Sequence, residues 1–262
     1  DWSSDVCSSD LINGKLVHSA MVCDVMTGTK ARGKGVFTKL GVYSTNQFAL
    51  EGLAFSTGYP IRPEVIPGHK KAGWDLPFEI PMYGKFLKMN SFLKTKNKEI
   101  FVCPANFLLK ILNFFFSLNF NNNRVLSVEN YNSFQIEEIK GLDDFFDKWK
   151  NEQAIALNKN VEFLKWRLSA PEKSYHIIVL REKNEIIGYS VFRQVTKENV
   201  PCIGVLDFCL LNNYLTHSIL LLNEIEKCAK KLNAELILMM MLQGNAKKIK
   251  LKSIGYYITI RC

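Results

Sequence analysis

Residues 16–27, LVHSAMVCDVMT, are mostly apolar or β-branched with no breaker, which predicts a strand. The loop GTKARGKG follows, with three glycines. The stretch VFTKLGVYSTNQFALEGLAF (36–55) then reads as a helix, with Val36, Leu40, Tyr43, Phe48 and Leu50 as an approximate stripe and Gly41 as an imperfection in it. Phe55 to Pro60 predicts a short strand closed by Pro60 and Pro63. A short helix should follow and end at Lys71-Ala72-Gly73, with Gly73 as its C-terminal cap. Trp74 begins another extended run. Strand, glycine loop, helix, strand, helix is an α/β order, with a mixed sheet expected.

Residues 94–132 read as a linker zone holding TKNKEI, the amphipathic FLLKILNFFF and the polar turn NFNNNR. A second unit is expected from Ser133. Its helices are GLDDFFDKWKNE, with Asp143 as a cap, and NVEFLKWRL. The alternating runs SYHIIVLRE and NEIIGYSVFRQ form a hairpin turned at Glu182-Lys183-Asn184. PCIGVLDFCLL is a further strand, HSILLLNEIEKCAKKLNA an amphipathic helix, and ELILMMML a strand apolar enough to be central. NAKKIKLKSIGYYITI closes the chain as a helix and a strand. The expected organisation is therefore a first domain over 12–93, a connection over 94–132 and a second domain over 133–262.

The first eleven residues, DWSSDVCSSDL, have another texture, polar and without period. They lack the apolar centre of a secretory signal and the Arg-rich bias of a transit peptide. They resemble the conceptual translation of a sequencing-library adapter read into a gene, so they are set aside. On that reading the first fold begins in its middle, and the ending GYYITIRC suggests a truncated C-terminus as well.

Composition narrows the class. An apolar share of 47% suffices for packed cores, and 262 residues suit one large or two modest domains. The net charge is +9 although Asp1, Asp5 and Asp10 lie in the opening segment. Such an excess can attract nucleic acid, a membrane surface or an anionic ligand. Seven cysteines show no C-x-x-C pair and no His partner at metal spacing, so buried thiols, a cytoplasmic location and no metal are expected. The run Asn106 to Phe120 is interrupted by Lys110 and falls short of the about 20 residues a spanning helix needs, so a buried or interfacial helix is expected.

The chemistry sits in Lys30-Ala31-Arg32-Gly33-Lys34-Gly35-Val36, between a strand and a helix. Gly33 and Gly35 allow a tight turn and close approach to the amides. Those amides open a helix, where unpaired N–H groups and the helix dipole favour an anion. Arg32 and Lys34 add charge, so phosphate or pyrophosphate is the natural ligand. The spacing is neither G-x-x-x-x-G-K-[ST] nor G-x-G-x-x-G.

In this order the loop resembles the acetyl-CoA-binding core of the GNAT acyltransferase superfamily, over roughly Leu16 to Pro81. That family's Arg/Gln-x-x-Gly-x-Gly/Ala loop holds the CoA pyrophosphate. Lys30, Gly33 and Gly35 fill the positions here, with Lys30 in place of the usual Arg or Gln. The resemblance implies that Val25, Met26 and Thr27 lie along the pantetheine arm, with Arg32, Lys34 and Val36 in the same acetyl-CoA site. His69-Lys70-Lys71-Ala72-Gly73-Trp74 resembles the family's Tyr-x-Lys-x-Gly-Phe end, which puts His69 where a tyrosine acid often stands. The second unit resembles the degenerate partner of tandem GNAT proteins, on Trp166-Arg167, Ile187-Gly188-Tyr189 and Val205-Leu206-Asp207-Phe208. It lacks a glycine loop.

The resemblance implies a bacterial acyltransferase that moves an acetyl group from acetyl-CoA directly to an amine or hydroxyl acceptor, a small molecule or sugar. Asp24 is a candidate base, and Glu64 suits a helix start. His18, His176 and His217 read as structural or exposed, and Cys23 as a buried thiol. Two other readings stay open. One is a tandem GNAT-like peptidyltransferase that takes aminoacyl-tRNA. The other is a CoA-binding or nucleic-acid-binding protein without catalysis, although the dispersed lysines speak against nucleic acid.

Overall fold

The computed structural model describes residues 7–23, 25–59, 63–117, 126–171 and 173–261. In chain order the elements are β1 (Cys7–Ile12), β2 (Lys15–Val22), α1 (Val36–Leu50), β3 (Phe55–Gly58), α2 (Ile66–Lys71), β4 (Pro81–Phe86), α3 (Asn90–Thr95), α4 (Val102–Ser117) and β5 (Leu126–Asn132). They continue as α5 (Leu142–Asn151), β6 (Ile155–Leu157), α6 (Val161–Leu168), β7 (His176–Glu182), β8 (Glu185–Lys197), β9 (Val200–Leu210), α7 (Ser218–Lys231), β10 (Leu236–Met240), α8 (Gln243–Lys248) and β11 (Tyr257–Arg261). The chain divides into two units. One holds the residues up to Glu79 with Lys150–Lys159, and the other holds Ile80–Trp149 with Asn160–Arg261.

The first unit carries a four-stranded sheet in the order β3-β2-β1-β6. β1 and β2 form a hairpin whose turn is Asn13-Gly14, with φ of 48° and 75°. Both central residues are left-handed, as a type I′ turn requires, and Asn-Gly is the sequence that adopts it most readily. Residues 7–11, set aside on sequence, thus supply strand β1, paired from Cys7↔Ala20 onward. Ser19 donates a hydrogen bond from its hydroxyl to the Asp10 carboxylate. β2 pairs in parallel with β3, from Ser19↔Phe55 to Val22↔Gly58. The strand expected to reach Thr27 ends at Val22, because β3 stops at Gly58 and offers no further ladder.

α1 also differs from its predicted stripe. Leu40 and Phe48 are half-buried as expected, but Val36, Tyr43 and Leu50 are exposed, and Phe37 and Ser44 turn inward in their place. The reason is Gly41, whose missing Cβ lets α1 approach α2: a Cβ there would stand 2.9 Å from that of Ala72. α1 ends at Gly52 (φ 75°), with Leu53 N–H donating to Phe48 C=O at 3.0 Å and Gly52 N–H to Ala49 C=O at 3.1 Å. That is a Schellman stop. α2 ends the same way at Gly73 (φ 89°), as expected from its sequence, through Trp74 N–H to His69 C=O at 3.1 Å and Gly73 N–H to Lys70 C=O at 3.0 Å.

The second unit is built on a seven-stranded mixed sheet, β11-β4-β10-β9-β8-β7-β5. β10 pairs in parallel with β9 and antiparallel with β4, so the most apolar strand lies inside the sheet. Two expected boundaries move. β4 belongs to this sheet and not to the first domain, because it hydrogen-bonds to β10 and β11 and buries Tyr83. β5, expected within the linker zone, pairs along its whole length with β7. Alternate residues of β7 serve two cores. Ile178 and Leu180 pack with Leu222 and Ile225 of α7. Ile177 and Val179 pack with Phe145 and Phe146 of α5 and Leu164 of α6. Asp143 lies inside the first turn of α5, and its carboxylate accepts the Val161 N–H at 2.8 Å at the start of α6. Asn160 caps α6 by accepting the Phe163 N–H at 2.7 Å.

One buried ion pair ties β4 to α7: Lys85 Nζ stands 2.6 Å from a Glu226 carboxylate oxygen, and Lys230 pairs with the other oxygen at 2.8 Å. Burial raises the Glu226 pKa, but the two lysines outweigh it and hold the carboxyl below its ordinary range. Its contribution to stability is present above the ordinary carboxylate pKa and is lost as pH falls through the depressed folded value. Glu226→Gln leaves Lys85 buried beside a neutral amide and should cost about 3 kcal/mol at neutral pH. Urea unfolding should show that difference at pH 7 and a smaller one below pH 4.5, the ordinary Glu226 value.

Candidate functional site

The connection from β2 to β3 builds the candidate site in the first unit. Past Val22 the described residues up to Gly28 have no ladder partners, and Asp24 lies outside the described residues. Val25 and Thr27 are half-buried, whereas Met26 is 84% exposed. Thr29–Ala31 form a 3-10 turn, held by Ala31 N–H to Gly28 C=O at 2.9 Å. Arg32 then donates from Nε to Thr27 C=O at 3.2 Å, which ties the end of the strand exit to the loop.

Gly33 and Gly35 have φ of 74° and 71°, in the left-handed region that glycine enters without steric cost. Nothing lies within 4 Å of where a Cβ would stand at either position, so the backbone and not the space requires glycine there. Gly35 is the N-terminal cap of α1, and no side chain caps that helix. The opening amides of a 15-residue helix therefore face an open glycine turn flanked by the exposed Lys30, Arg32 and Lys34. No acidic residue lies in the first turn of α1. Unpaired N–H groups, the positive end of the dipole and three cationic side chains are together the features that favour an anion.

His69 lies on α2, half-buried against the start of α1. Its ring meets Phe37 edge-on at 4.9 Å and lies 5.5 Å from Trp74. Gly68 permits this approach, since a Cβ there would stand 2.8 Å from the Phe37 ring. Trp74 also donates from its indole N–H to the Thr45 hydroxyl at 3.2 Å. Burial lowers the His69 pKa below 6.5, which favours the neutral imidazole at pH 7. A neutral ring accepts a proton more readily than it serves as an acid. Phe37, which carries this contact, was missed on sequence because the stripe was set on Val36.

The remaining candidates lie elsewhere. Glu64 is exposed in the 3-10 turn Pro63–Val65, before α2. His18 is exposed, His176 stacks on Phe192 at 5.2 Å, and His217 caps α7 by position. Cys23 is exposed and not buried, because it stands past the end of β2. Among the described residues no group of His, Cys, Asp or Glu is placed to hold a metal.

The equivalent connection in the second unit, from β9 to β10, has no such turn. No residue from 200 to 232 has a positive φ, and the 3-10 turn Asn212–His217 leads directly into α7. The features singled out there are structural. Tyr189 is buried between Phe145 and Phe146, and its hydroxyl donates to Asp207. Gly188 lets Leu210 approach, at 2.9 Å from where a Cβ would stand.

Residues 9–77 match the model of the acetyltransferase (GNAT) domain family. No curated protein matches the chain. Solved structures share the fold. A GCN5-related N-acetyltransferase from Anabaena variabilis is 13% identical with a TM-score of 0.62, over 97% of this chain and 56% of that one. Another from Kribbella flavida is 10% identical with a TM-score of 0.54, over 92% and 50%. The N-myristoyltransferase of Saccharomyces cerevisiae, with bound myristoyl-CoA, is 10% identical with a TM-score of 0.60, over 97% and 63%. The fold is thus GNAT-like, α/β with mixed sheets, and the chain spans about half the length of the two GCN5-related proteins.

The left-handed turn should be measurable as stability. Gly35→Ala forces a Cβ into φ 71° and should cost roughly 1–2 kcal/mol. Gly28→Ala, at φ −56°, should cost less than half of that in the same denaturation experiment.

Proposed function

We propose that the first unit binds acyl-CoA, with acetyl-CoA as the donor, and transfers the acyl group directly to an amine or hydroxyl of a small molecule or sugar. The carrying observation is the open left-handed turn at Gly33 and Gly35 in front of the uncapped α1. It suits the CoA pyrophosphate, with Lys30, Arg32 and Lys34 supplying charge and Val36 opening the helix. Val25, Met26 and Thr27 would lie along the pantetheine arm. The family match over residues 9–77 supports this reading, since it covers the loop and the strands on both sides of it.

The acceptor nitrogen or oxygen attacks the thioester carbon, the carbon–sulfur bond breaks, and CoA leaves as the thiolate. The acceptor's proton must pass to a base and the thiolate must gain a proton. Holding donor and acceptor in line supplies most of the acceleration. His69, kept neutral by burial, would accept the acceptor's proton, in place of the acid role its position first suggests.

Calorimetry with acetyl-CoA tests the donor site. The intact chain should bind in the micromolar range, about −8 kcal/mol, and Gly33→Asp/Gly35→Asp should abolish the signal. Absence of binding by the intact chain would overturn the assignment. With an acceptor identified from a panel of amines, His69→Gln should lower kcat about 100-fold with an unchanged KM for acetyl-CoA. It should also remove the fall of kcat/KM below the ordinary histidine pKa of 6.5. An unchanged pH profile in His69→Gln would leave the residue a packing role only.

A further inference from the structure

α4 is turned inside out. Its two asparagines face the protein: Asn106 accepts the Met89 N–H at 2.9 Å and donates to Asn90 at 2.6 Å, and Asn113 donates to Phe86 C=O at 3.3 Å. Most of its large apolar residues face outward, while Val102, Leu109 and Phe116 are half-buried. Phe107, Leu108, Leu112, Phe114 and Phe115 are each at least 50% exposed. A helix in water places these residue types the other way round. Contiguous exposed apolar side chains on a folded surface mark a binding face.

Charge says what binds there. Between Lys88 and Ser117 the sequence carries Lys88, Lys94, Lys96, Lys98 and Lys110 against the single acid Glu99. All five lysines are exposed. The chain's net charge of +9 repels a second copy and attracts an anionic surface. Glu99–Phe116 passes the length and composition test for a membrane span, with a mean hydropathy of 1.5 over 18 residues. The overlapping run from Asn106 is by itself too short to span. Yet the asparagine side is bonded to the body of the second unit, and Gly255 receives the ring of Phe116. A helix fixed along one side can lie in a membrane interface but cannot cross it.

We propose that α4 is a membrane-docking helix, with its aromatic and leucine face seated among the acyl chains of an anionic lipid surface and the lysines around it meeting the headgroups. This goes beyond the acyl-transfer reading and does not depend on it.

Co-sedimentation of the 262-residue chain with lipid vesicles tests the docking. Vesicles of phosphatidylcholine mixed with phosphatidylglycerol should bind the chain about tenfold more tightly than phosphatidylcholine alone. Leu108→Ser/Leu112→Ser/Phe115→Ser should weaken that binding at least about tenfold, with no fall in the thermal midpoint because the three side chains are exposed. Lys94→Glu/Lys96→Glu/Lys98→Glu should remove the preference for anionic lipid. Equal pelleting with and without vesicles would overturn the proposal, as would undiminished binding by the triple serine variant. A concentration-dependent dimer that the serine variant dissolves, without lipid binding, would make the face a protein interface instead.

Discussion

Two parallel strands cannot be joined by a tight turn; the chain must cross over and return from the same end. That constraint organises the first unit. β2 and β3 pair in parallel, so residues 23–54 have to leave the end of one strand and come back to the start of the other. The return path is α1, and its N-terminus is therefore delivered to the carboxyl end of β2. Gly33 and Gly35 make the reversal within a few residues, and their left-handed backbone leaves the helix's first amides uncapped and open. The candidate anion site is a product of the crossover, and the three cations beside it add to what the backbone offers.

The second unit meets the same constraint between β9 and β10 and solves it without glycine. Its 3-10 turn feeds α7 with no left-handed residue, and α7 packs its Leu222, Ile225 and Ala229 into the core. The polar groups that drew attention there, Tyr189 and Asp207, satisfy each other inside the sheet. One fold thus carries two versions of the same connection, and only one of them has the geometry for an anionic ligand. The inverted α4 adds a different kind of surface, in which polar side chains hold the helix down and apolar ones are left outside.

Much of this was legible in the sequence. The apolar β10 and the alternating β7 and β8 announced a buried sheet, and Gly73 ended its helix as expected. The glycine loop was found because glycine spacing and basic charge are local signals. Long-range pairing was less visible. β4 was placed with the first domain because nothing within PMYGKF says that its partners are β10 and β11. β5 was taken as linker because its alternation is polar, and only its pairing with β7 makes it a strand. The stripe of α1 was misjudged by one residue, since Gly41 counts as a defect until α2 is seen to need the space. β1 went unread although Asn13-Gly14 announces a hairpin, because the composition of the opening segment outweighed its turn. The inverted face of α4 was hidden too, since periodicity tells that a helix has two faces but not which one meets the protein.

On the proposed function, the amides around Gly33 and Gly35 hold the anionic part of a CoA thioester. Hydrogen exchange by mass spectrometry, with and without acetyl-CoA, reads those amides directly. Exchange should slow in peptides covering Arg32–Leu40 and stay unchanged over Asn212–Leu220. Unchanged exchange at Arg32–Leu40 under saturating acetyl-CoA, or protection that falls on Asn212–Leu220 instead, would contradict it.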